Sequence, residues 1–243
     1  MCVICIKLVG CDFPPESAIK NCIRKNRDGF SMAWNENGLL RTFRTMDPDE
    51  AVEKYREVSR LNPRTTGLIF HARIATHGSL KLENCHCWDY DGKYAFAHNG
   101  VLRNIKVYDD KTDSEVFFRD LLVPAIENVG KEYAFRIASA VIGDTRNKIA
   151  LIDANGHIDL FGEYLKQGYP GRVGKIYFSN SSFMETSSYG VDAAAMAYAS
   201  RPVPKLPTAK AIKETTGKKG GNGRDLNELE RRYAELAKGN TLF

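Results

Sequence analysis

Four short stretches of this chain carry residue types that could do chemistry, and the first is a single residue, Cys2. Once Met1 is removed, which a side chain as small as that of Cys2 permits, one residue carries both a thiol and a free α-amine. An α-amine has a reference pKa of about 7.7–8.0 and a thiol of about 8.5. The amine can therefore take the thiol's proton near neutral pH, and no histidine is needed as base. The plain alternative is a buried cysteine in an edge strand. The second stretch is His71-Ala72-Arg73-Ile74-Ala75-Thr76-His77-Gly78, which leaves a strand-like run and ends in small and polar residues. Arg73 offers a planar fork suited to a carboxylate, and Thr76 adds a hydroxyl donor; a structural arginine with two surface histidines is the alternative. The third, Ala97-His98-Asn99-Gly100, sets an amide side chain beside a glycine N–H. Both could face a developing oxyanion, though Asn-Gly is also an ordinary turn. The fourth is Thr112-Asp113-Ser114-Glu115, a capping box whose carboxylate could also bind an α-ammonium.

In this order the four stretches resemble the class II glutamine amidotransferases, members of the N-terminal-nucleophile hydrolases. The family pattern is a cysteine at the mature N-terminus, then Arg-x-Ala-Thr-His-Gly, His-Asn-Gly and Thr-Asp-Ser/Thr-Glu. The likeness covers roughly residues 2–190 and is greatest to the glutaminase domain of glucosamine-6-phosphate synthase and related enzymes. It implies an α+β fold, a four-layer αββα sandwich of two stacked, mostly antiparallel sheets. It also implies that Cys2 is the nucleophile, with Asn99 and the Gly100 N–H as the oxyanion hole. Arg73, with Thr76 and His77, would hold the glutamine α-carboxylate, and Asp113 the α-ammonium. Three departures stand out. Ile74 replaces an aromatic, Asn84-Cys85-His86-Cys87 replaces an Asn-Ala-His-Pro-His run, and the segment from Gly100 to Asp113 is short for the family.

The elements that must position these residues are legible as runs of apolar periodicity. Residues 2–9 read as a strand and Pro15–Asn26 as a helix opened by Pro15. Strands 29–35 and 38–45 are joined around Asn37-Gly38, a hairpin turn signal. Asp47–Leu61 is amphipathic and helical, and 67–74 and 93–97 read as buried strands. A helix is expected over 113–129, where Pro124 must kink or split it. Another follows over 131–141, then a hairpin turning at Asn155-Gly156, a strand at 176–179 and a helix at 191–199. Short turns between neighbouring strands favour antiparallel sheets with helices packed on them.

Composition sets the remaining bounds. At 243 residues the chain can bury a core without disulfides or metal, and 43% apolar with 27% charged residues is ordinary for a globular protein. Six cysteines suggest reduced thiols and a cytoplasmic setting. The run Leu8-Val9-Gly10-Cys11 imitates a lipoprotein cleavage box, but Lys7 interrupts it and no positive charge precedes it. No run approaches the roughly 20 apolar residues of a membrane span. Cys2-x-x-Cys5 and Cys85-His86-Cys87 lack a second well-spaced pair, so no metal or cofactor is expected.

Charge divides the chain. Lys/Arg and Asp/Glu balance over residues 1–200, whereas 201–224 carry a net +6. Prolines and glycines make 201–224 a flexible basic linker. Residues 225–243 then read as a short helix with Leu226, Leu229, Tyr233 and Leu236 on one face. The domains are accordingly 1–200 for the glutaminase, 201–224 for the linker and 225–243 for the helix. No synthase segment is recognisable, so the ammonia would pass to a separate partner or to none. Residues 225–243 could dock that partner or a second copy, and the basic linker allows weak, non-specific nucleic-acid contact. The rival functional reading is a catalytically silent copy of the fold that acts as a binding or scaffold protein through its tail.

Overall fold

The computed structural model describes residues 2–75, 79–142 and 146–185. The expected helix at 191–199, the linker, the C-terminal helix, and Thr76 and His77 lie outside the described residues. Ten strands form two sheets. The larger contains β1 (Val3–Lys7), β2 (Phe30–Glu36), β3 (Leu39–Thr45), β4 (Leu68–Ala72), β9 (Leu165–Gln167) and β10 (Ile176–Phe178), ordered β3-β2-β4-β1-β10-β9. The smaller contains β5 (Trp88–Tyr90), β6 (Tyr94–Asn99), β7 (Lys148–Asp153) and β8 (Ile158–Phe161) in sequential order. All described pairings are antiparallel.

Three apolar clusters separate four layers. Helices α1 (Glu16–Lys25) and α2 (Pro48–Val58) cover the outer face of the larger sheet, where Ile19, Cys22, Val52 and Tyr55 meet Val3, Cys5, Phe70 and Phe178. Between the sheets lie Ile4, Ile6, Ala33, Ile69, Ala95, Ala97 and Ala150. Beyond the smaller sheet, Phe96 and Leu151 pack on a helical run that ends in α5 (Lys131–Ile142). The αββα sandwich expected from the resemblance is therefore the observed architecture.

Local chemistry sets most boundaries. Asp47 caps α2 by accepting from the Asp49 and Glu50 N–H groups at 2.7 and 3.2 Å. Asn37 and Gly38 take positive φ angles of 52° and 75°, the mirror-image turn that matches strand twist. The break that Pro124 demands takes the form of a π-helical stretch, Phe117–Leu122, between α3 (Asp113–Val116) and α4 (Val123–Val129). The second hairpin differs from a tight Asn-Gly turn. Asp153 Oδ1 accepts from the N–H groups of Asn155 and His157 at 2.9 and 3.1 Å, which widens the connection to Ala154–His157. Only Gly156 in that loop takes a positive φ, of 80°.

Candidate active site

Strand alternation decides which side chains share the space between the sheets. In β1, Ile4 and Ile6 face the smaller sheet while Val3 and Cys5 face the helices, so Cys2 continues the inward row. In β4, Ile69 faces inward and Phe70 outward, which puts His71 and Arg73 inward. In β6, Ala95 and Ala97 face the larger sheet and Asn99 follows them, while His98 turns toward α3 with Phe96. Three of the expected residues thus meet because each sits an even number of steps from a core residue.

Cys2 and Arg73 line an open cleft together with Ile74, His86, His98, Gly100, Asp113 and Ser114, and Asn99 lies beside it. The Cys2 thiol is half-buried, with the Ile74 N–H donating to Sγ at 3.4 Å. Burial pushes its pKa up, while the Ile74 hydrogen bond and the nearby Arg73 charge pull it down. The balance keeps it a thiol, so attack requires a base. Arg73 is 3% exposed and donates through Nη1 to the Ser79 carbonyl at 3.1 Å. Its backbone is pinned on both sides: its N–H donates to Gly29 O at 2.8 Å, and its carbonyl accepts from Asp28 N at 2.9 Å. The Asp28 carboxylate then accepts from Ala75 N at 2.8 Å.

On the opposite wall, Asp113 begins α3. Its Oδ2 accepts from Leu102 N at 2.7 Å and its Oδ1 from Ser114 N at 2.8 Å. Thr112 caps the helix through Glu115 N at 3.2 Å, but the reciprocal half of the capping box is absent because Glu115 turns to Arg119 at 3.0 Å. Gly100 has φ 156°, and a Cβ there would meet Asn147 Oδ1 at 1.9 Å, so only glycine fits. Asn99 donates through Nδ2 to Ser179 Oγ at 2.8 Å, and its Oδ1 is buried without a partner. Ser179 Oγ also accepts from Ile4 N at 2.8 Å, and Asn180 Nδ2 donates to the Cys2 carbonyl at 2.7 Å. The residues that follow β10 therefore tie the strand beginning at Cys2 to the Asn99 amide on the facing sheet.

Partly lining the cleft through His86 and His98 is a buried imidazole cluster. The His71 and His86 rings stack at 3.9 Å with 8° between planes, and His86 Nδ1 accepts from His98 N at 3.1 Å. Burial, reinforced by Arg73, pushes His71 down to about 3, and burial lowers His86 and His98 as well. Burial thus favours the neutral form of all three rings, with Asp113 opposing it at His98.

The structure brings Cys2, Arg73, Gly100 and Asp113 to one cleft and Asn99 beside it. Ser114, Asn147, Ser179 and Asn180 also hold the site, and none of their supporting roles was read from the sequence. Neither Asn147 nor the Ser179-Asn180 pair belongs to a recognisable local motif.

A family model described as glutamine amidotransferases, class II, matches residues 4–159. A Haemophilus influenzae protein provisionally described as a glutamine amidotransferase is 31% identical over 103 residues, 37% of this chain; the match spans only about a third of that relative, 34% of its length. Among solved structures, a glutamine aminotransferase class-II domain protein from Silicibacter pomeroyi aligns over 72% of this chain and 87% of its own at 18% identity, with a TM-score of 0.43. The glutamine phosphoribosylpyrophosphate amidotransferase from B. subtilis, complexed with ADP and GMP, aligns over 75% of this chain and 42% of its own at 16% identity, with a TM-score of 0.48.

Proposed function

This chain belongs to the class II glutamine amidotransferases, and we propose that it hydrolyses the side-chain amide of glutamine through a thioester on Cys2. The single observation that carries the reading is the convergence of Cys2, Arg73, Gly100 and Asp113 on one cleft. With Met1 removed, the Cys2 α-amine takes the thiol proton and the thiolate attacks the amide carbon. Electrons move onto the carbonyl oxygen, which in this reading the Gly100 N–H and the Asn99 amide stabilise. The ammonium returns the proton to the leaving nitrogen, the C–N bond breaks, and ammonia departs. The amine then takes a proton from water as the hydroxyl attacks the thioester, releasing glutamate and restoring the thiol. Arg73 holds the α-carboxylate, with Thr76 and His77 as its neighbours in sequence, and Asp113 the α-ammonium.

The ammonia goes to a separate synthase partner or is released, and residues 225–243 are the candidate docking segment. An intact mass lacking Met1 is the first expected result, since a retained Met1 leaves Cys2 with an amide nitrogen and no base. Glutamate release should then vanish in Cys2→Ala and after alkylation by a glutamine-like electrophile. Undiminished turnover in Cys2→Ala would sink the mechanism. An intact, folded wild type that retains Met1 and releases no glutamate would favour the silent scaffold.

A further inference from the structure

Around His98, the direction of each proton can be worked out from what each atom is able to do. The Val101 N–H meets the Asn147 side chain at 2.9 Å. A backbone N–H can only donate, so the atom it meets is the amide oxygen, and the Asn147 orientation is fixed. That same Oδ1 lies 3.0 Å from His98 Nε2, so Nε2 must carry a proton. His98 is 1% exposed, in a setting that favours the neutral ring, which leaves Nδ1 bare. Nδ1 is 2.8 Å from Ser114 Oγ, so the hydroxyl donates to it. Ser114 has one proton to give. Asp113 Oδ1, 3.1 Å from the same Oγ, therefore does not receive it.

We propose that Asn147, His98 and Ser114 are positioning residues that act as one directed hydrogen-bond chain controlling both ends of the substrate site. At one end the chain holds the Gly100–Val101 backbone, which carries the oxyanion-binding N–H. At the other it draws the Ser114 proton away from Asp113, so that the carboxylate keeps a lone pair for an α-ammonium. Asn147 lies off the cleft, while His98 and Ser114 line it and act through the groups given to the substrate's two ends. The inference rests on the glutaminase reading for the identity of those two ends, but the direction of the chain follows from the hydrogen bonds together with the neutral state that burial favours for His98.

The first test reads that direction without turnover. In the full-length protein labelled with 15N-histidine, with the His98 signals assigned by their loss in His98→Gln, Nε2 should be protonated and Nδ1 bare. An Nδ1–H tautomer or an imidazolium overturns the proposal.

The second test splits the two ends. Asn147→Ala releases the Val101 N–H and loosens the oxyanion backbone. Its kcat, counted per thiol titrated by a glutamine-like electrophile, should fall by about 10- to 100-fold with KM within about twofold of wild type. Asn147→Asp keeps an acceptor for both donors but sets a carboxylate against His98, which favours the imidazolium. Nδ1–H then donates to Ser114, and Ser114 donates to Asp113. KM should rise roughly tenfold, the effect of filling one acceptor site on a charged group, while kcat changes less. Adding Ser114→Ala to Asn147→Asp removes the diverted proton and should bring KM back to within about twofold. Parallel losses in kcat and KM, with no recovery in the double variant, would reduce the chain to packing and overturn the proposal. A wild type that hydrolyses no glutamine overturns the glutaminase reading and the role given to Asp113, while a neutral Nε2–H ring would still support the chain itself.

Discussion

Arg73 and Asp113 bracket the cleft from different layers, one following the end of β4 and the other at the start of α3. Removing either should leave one charged end of glutamine without its partner, a loss of about 2–5 kcal/mol for a desolvated pair. Arg73→Ala and Asp113→Ala should each raise the glutamine KM at least tenfold. Equal cleavage of a simple amide lacking the α-amino and α-carboxyl groups would show the assignment to be wrong. Residues of this kind were legible in the sequence because their chemistry is carried by type and order: a cysteine beside an amine, an arginine before small residues, a glycine after an asparagine. Asn147 and Ser179 were not legible, because each works by a hydrogen bond to a residue 46 or more positions away. Nothing in the local sequence distinguishes such an asparagine or serine from one that faces water.

At the scale of elements, periodicity gave the longer strands and helices nearly to the residue, while three-residue strands such as β5 and β9 lie below what alternation can signal. The two Asn-Gly signals make a useful contrast. At Asn37-Gly38 the two turn residues have positive φ and the turn is tight. At Asn155-Gly156 the same dipeptide follows Asp153, whose carboxylate captures two backbone donors and reshapes the loop. A side chain two positions before the dipeptide thus overrides the dipeptide's own preference. A Cβ at Gly38 would meet nothing within 4 Å, so Gly38→Ala isolates the strain of φ 75° from any clash. That strain should lower stability by about 1 kcal/mol, and hence Tm by roughly 2–4 °C. Gly156→Ala should be worse, since its Cβ would also meet Asn35 Oδ1 at 2.2 Å. Equal melting temperatures for the two variants would refute this ordering.

For the whole molecule, four layers close around three cores whose residues run from Val3 to Phe183. Among the described residues no helix is long and apolar enough to cross a membrane. The β1 strand at the centre of the larger sheet draws its neighbours from residues 68–72 and 176–178, so the site's geometry depends on contacts that span most of the described chain. Such long-range pairings explain why the sequence alone could suggest antiparallel layers but not their order. They also bear on the tail. The charges of residues 1–200 sum to zero while 201–224 carry +6, so the net positive charge of the full chain lies beyond residue 200. A chain ended after residue 200 should melt as one cooperative transition within a few degrees of the full protein and should hydrolyse glutamine at the same kcat per titrated thiol. It should also lose any salt-sensitive retention on a single-stranded DNA column, because neutralised phosphates, not the folded layers, would supply that affinity. Loss of cooperative melting or of turnover on truncation would show instead that residues beyond 200 complete one of the cores.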